Sequence, residues 1–77
     1  MNAVIAFLIE QLASATLGSD LFTRVVGVVD RWSEKKISEA EKRQGIINEF
    51  EVIGLEILEG EINFAIGLAE KYLKHLT

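Results

Sequence analysis

The sequence contains no cysteine and no proline. Without cysteine, neither a disulfide nor a thiolate metal site can staple the chain. Without proline, one common helix breaker is missing, which fits uninterrupted helices. Histidine occurs once, as His75. A lone imidazole two residues from the last one has no orienting acid in evidence, so it reads as an exposed polar group rather than a general base. Long apolar runs are also missing. The longest, Ala3 to Ile9, has seven residues, whereas a membrane span needs about twenty. No Lys or Arg precedes Arg24, and Glu10 and Gln11 directly follow the run. Neither a cleaved leader nor a basic membrane-surface helix is therefore expected.

Net charge is −4 and the pI about 4.9. General nucleic-acid binding depends on neutralising phosphates, so no nucleic-acid partner is expected. Trp32 beside Arg31 and Lys35 invites a base-stacking reading. It is in phase with Val25 and Val29, however, and the next helix opens with Glu39 and Glu41, which would face phosphates unfavourably.

Catalytic signatures are absent as well. None of Ser14, Ser19, Ser33 and Ser38 lies in a nucleophile elbow. Glu56 and Glu59 could share a helix face, but there is no Glu-x-x-His pattern, no Asp/Asn-rich calcium loop and no glycine-rich phosphate loop. The expectation is a non-catalytic chain with no cofactor and no metal.

What is present is hydrocarbon. The 77 residues allow one domain, spanning 1–77, and 49% of them are apolar before the six glycines are added. Ordinary soluble chains reach about 45–50% with glycine included. A domain this small buries a modest fraction of its surface. The surplus implies that another chain covers some of it.

Four helical segments are legible. The first spans Asn2 to Leu17, with Val4, Ile5, Leu8, Leu12 and Ala15 at helical spacing and Phe7 and Ile9 widening the stripe. Gly18-Ser19-Asp20 then reads as a stop followed by a Ser or Asp cap. The second spans Leu21 to Lys36. Phe22, Val25, Val26, Val29 and Trp32 form its stripe, flanked by Leu21 and Val28. Its β-branched run could form a strand on local propensity, but the 3.6-residue period favours helix.

The third segment begins with the capping box Ser38-Glu39-Ala40-Glu41 and buries Ile46, Ile47, Phe50 and Ile53, with Ile57 as a further candidate and Gly54 as its stop. Residues Leu55 to Glu59 form a connection or a frayed turn. The fourth segment runs from Gly60 or Glu61 to Leu76, with Ile62, Ala65, Ile66, Ala69, Tyr72, Leu73 and Leu76 on one face. Gly27 and Gly67 fall inside helices. Each marks either a close backbone approach or a tolerated bend.

Charge is uneven. Glu49, Glu51, Glu56, Glu59 and Glu61 occupy a stretch without Lys or Arg, whereas Arg31, Lys35, Lys36, Lys42 and Arg43 cluster earlier. The two stretches either serve complementary docking, head to tail between copies or onto a basic partner, or are two solvated faces.

From Val25 to Leu76 the order of features runs Val28-Val29-Asp30-Arg31-Trp32, Ser38, Glu41-Lys42-Arg43, Gly54, then Glu61-Ile62-Asn63-Phe64-Ala65-Ile66. This stretch resembles the soluble helical C-terminal part of certain phage holins. The resemblance covers about two-thirds of the chain and rests on pattern rather than on a diagnostic motif. It implies a phage or prophage origin and a non-catalytic helical protein. Holins need membrane spans, and the first segment is too short for one and carries Glu10. The lytic function is therefore not carried over.

The sequence thus predicts an all-α bundle of three or four short helices that self-associates as a homodimer or higher oligomer. Phe7, Leu8, Leu12, Trp32, Phe64 and Leu68 are the candidate contacts. The second reading is a small acidic inhibitor that covers a cationic surface on a host protein. A cytoplasmic or virion location is expected.

Overall fold

Helices α1 (Ala3–Leu17), α2 (Ser19–Ser33), α3 (Glu39–Val52) and α4 (Glu59–Leu76) follow one another with short connections. The computed structural model describes residues 3–55, 57 and 59–76, with backbone only at residue 59. Among the described residues there is no strand, so the β-branched run of α2 is helical. The expected start at Asn2 lies outside the described residues, as do Glu56, Leu58 and the side chain of Glu59.

A single residue separates α1 from α2. Gly18 has φ 89° and ψ 144°, a conformation that a Cβ would oppose. Its amide still donates to the Ser14 carbonyl (3.1 Å), and its own carbonyl accepts from Phe22 (3.0 Å), so both helices are hydrogen-bonded up to the corner. The helices bend by 118° there. The expected Ser or Asp cap is corrected: Gly18 is the N-cap residue, no side chain caps α2, and Ser19 and Asp20 lie within the helix.

Helix α2 also ends earlier than predicted, at Ser33 rather than Lys36. The Lys35 amide folds back to the Trp32 carbonyl at 3.2 Å, and Lys36 lies in the connection.

Helix α3 begins as the sequence indicates. The Ser38 hydroxyl oxygen accepts from the Glu41 amide at 3.2 Å and donates to the Glu41 carboxylate at 3.0 Å. This satisfies one of the four amides that every helix leaves unpaired at its start. At the other end, Gly54 has φ 70°; its amide donates to Glu51 (3.2 Å), and that of Leu55 donates to Phe50 (2.9 Å). This 6→1 and 5→2 pair is the Schellman arrangement, which needs a left-handed residue where Gly54 stands.

The core is assembled by α1, α2 and α4, which pack against one another, while α3 rests mainly on α2. Val25, Val28, Val29 and Ile66 are its most deeply buried large side chains. Phe22 meets Tyr72 edge to face, with centroids 5.5 Å apart, a favoured aromatic geometry. Arg43 ties α3 to α4 by donating to Asn63 at 2.5 Å and lying 3.8 Å from Glu70. The Cα radius of gyration is 11.9 Å, close to the value of about 11.5 Å for a compact chain of this length.

Several predicted core positions are corrected. Ile53 caps α3 and is exposed, as is Leu76 near the end of α4. Leu68, a candidate contact for another chain, is only 8% exposed and belongs to the chain's own core. A Cβ added at Gly27 or Gly67 would meet nothing within 4 Å, so neither glycine marks a close approach.

Candidate interaction surface

Helix α1 is apolar around most of its circumference, with Glu10 as its one charged residue. Such a helix is usually enclosed on all sides. Here one side alone is enclosed. Ala6 and Ala13 are buried, and Ile9 and Leu17 pack partly against the core. These four recur at spacings of three and four, so they form one face. Their small alanines let α1 lie close against its neighbours.

The face that turns inward is therefore not the stripe selected by spacing. Val4, Phe7, Leu8 and Leu12 remain 70%, 58%, 59% and 50% exposed. Gln11 and Ala15 are exposed too. At about 100° per residue, Val4, Leu8, Gln11 and Ala15 project along one line, with Phe7 and Leu12 on either side of it. Their separations of four, three and four residues are those of a helix-pairing seam. Glu10 is directed elsewhere, beside Phe22, Thr23, Val26 and Tyr72. The outward face of α1 thus carries no charge.

The other candidate contacts are placed differently. Phe64, on α4, is 45% exposed. Trp32 is half-buried inside its own chain. Its ring lies over Gly45 of α3, its indole N–H donates to Glu49 at 2.9 Å, and the Lys35 ammonium sits 4.7 Å from the ring centroid. Of the two fates expected for Trp32, core or interface, the structure thus shows a contact between α2 and α3 within the chain.

That contact also divides the acidic patch. Glu49 accepts from both Trp32 and Arg31 and is not free to meet another molecule. Glu51 and Glu61 are exposed. Glu56 and the side chain of Glu59 lie outside the described residues.

Between α2, α3 and α4 there is a hollow of about 170 Å³ lined by Val29, Ser33, Lys42, Arg43, Ile46 and Glu70. Its polar groups are engaged. Lys42 donates to the Ser33 carbonyl (3.3 Å) and lies 3.5 Å from Glu39, and Arg43 is held by Asn63 and Glu70. Among the described residues no buried side-chain polar atom lacks a partner, and no three His, Cys, Asp or Glu groups gather as metal ligands would. No single described helix is long and apolar enough to cross a membrane.

Among the described residues, fold and surface define a small all-α domain of four helices with an uncovered apolar face on α1. Comparison of the chain with protein-family models, with curated proteins and with solved structures finds no match.

Proposed function

We propose that this chain is a non-catalytic protein-docking module that works through the outward face of α1. The observation that carries the reading is the exposure of Val4, Phe7, Leu8 and Leu12 on one uncharged helix face. They present roughly 400 Å² of hydrocarbon, within the range of about 300–600 Å² for the largest patch on ordinary monomers, which is often functional. All four lie on a single helix, so they are presented together on a rigid support, as helix-in-groove and helix–helix recognition require.

The absence of charge on this face favours hydrophobic docking over salt-dependent docking. The acidic alternative is weaker, because Glu49 is occupied within the chain.

The test compares the tagged chain with a Leu8→Glu/Leu12→Glu variant in native extract. Both positions are exposed, so helix content and melting temperature should hold. Wild type should migrate well above the mass of the tagged monomer, and the variant as a folded monomer. Equal migration of the two proteins would overturn the reading.

A further inference from the structure

We infer that the occupant of the α1 face is a second copy of this chain, paired through antiparallel α1 helices about a two-fold axis. The inference rests on the docking reading above and names its partner.

The first argument is size. A partner that meets roughly 400 Å² of exposed hydrocarbon with an identical surface buries about twice that amount. Gln11, Ala15 and the edges of the seam bring the total to about 1,000–1,200 Å², the lower bound for a specific interface. An interface of that size fits a weak, reversible dimer, for which micromolar association is expected, and is too small for an obligate one.

The second argument is chemistry. A two-fold axis sets residue i of one copy against residue j of the other, so a face carrying charges of one sign alone would repel its copy. The α1 face has none, because Glu10 points to the side, where it lines an open hollow together with Phe22 and Tyr72. The chain as a whole carries −4, and α1 has no Lys or Arg. An anionic bilayer would repel it rather than recruit it.

The third argument is shape, and it sets the direction. The smallest seam residue, Ala15, lies at one end and Val4 at the other, with Phe7 flanking the first half and Leu12 the second. Parallel pairing would leave Ala15 facing Ala15 across a gap. Antiparallel pairing sets Val4 opposite Ala15 and Leu8 opposite Gln11, which keeps the thickness even. It also aligns the helix dipoles favourably. Ala15 lets the backbones approach at both ends, and Leu8 fills the middle.

The chain has no cysteine, so introduced thiols report on geometry without background. Val4→Cys and Ala15→Cys, both at exposed positions, are mixed in equal amounts and oxidised at about 100 µM, above the micromolar dissociation range. A cross-link forms only where Cα atoms approach within about 7 Å. The mixed disulfide should exceed either homodimeric one several-fold, and adding Leu8→Glu to both chains should abolish it.

Preferential Val4→Cys self-linkage would overturn the antiparallel direction. A purified chain that stays monomeric at that concentration would overturn self-pairing. In that case the native-extract comparison still decides whether the α1 face docks another protein.

Discussion

The ring of Trp32 lies directly against the backbone of Gly45. A Cβ added at residue 45 would fall within 3.0 Å of three ring carbons, Cε3, Cζ3 and Cη2. The contact joins α2 to α3. The Glu49 carboxylate, one turn further along α3, receives the indole N–H. The single tryptophan is thus held on one face by a glycine and at its edge by an acid, with Lys35 over the ring.

Gly45→Ala should destabilise the domain. Overpacking costs about 1–3 kcal/mol, partly offset by the gain of about 1 kcal/mol in helix propensity. A net loss of up to about 2 kcal/mol is expected from urea unfolding. Gly27→Ala, with open space around it, should show the opposite sign and gain about 0.5–1 kcal/mol. Equal effects at the two positions would contradict the Trp32 contact.

Glu49→Ala removes the acceptor from a half-buried indole. The loss should be about 1–2 kcal/mol, most of it from the hydrogen bond. The Arg31 partner is 64% exposed, and such a pair contributes little. Fluorescence of the only tryptophan should shift to the red as its edge meets water. An unshifted spectrum would count against the bond.

Ser38→Ala should cost about 1 kcal/mol, because the Glu41 amide loses its acceptor. Thermal or urea unfolding measures it. A variant as stable as wild type would place the start of α3 elsewhere.

Ile66→Asp should prevent folding. Ile66 is 1% exposed within the core shared by α2 and α4, and an unpaired carboxylate there is several kcal/mol unfavourable. A native circular-dichroism melt for this variant would refute the core described above.

Helix count, the Ser38 cap and the Gly54 stop were legible because each is a local signal. Ser38 and Glu41 are three residues apart, and Gly54 stands where the chain needs a positive φ. The end of α2 was not legible, since Lys35 and Lys36 suit a helix terminus equally well whether they lie inside it or beyond it. The significance of Gly45 was also hidden. Gly27, Gly45 and Gly67 look alike as mid-helix glycines, and only the fold brings a tryptophan thirteen residues earlier onto one of them. The orientation of α1 was hidden for a related reason. When nearly every side of a helix is apolar, periodicity cannot select the inward one. The packing of Ala6 and Ala13 selects it, leaving Leu8 and Leu12 outside.

The most direct test of the account is sedimentation equilibrium of the purified chain from about 1 to 300 µM, a span that brackets micromolar association, run beside Leu8→Glu. The weight-average mass of wild type should climb from 8.6 kDa toward twice that value, while Leu8→Glu stays at the single-chain mass with an unchanged melt. A flat single-chain mass for wild type, or an identical climb for both proteins, would contradict it.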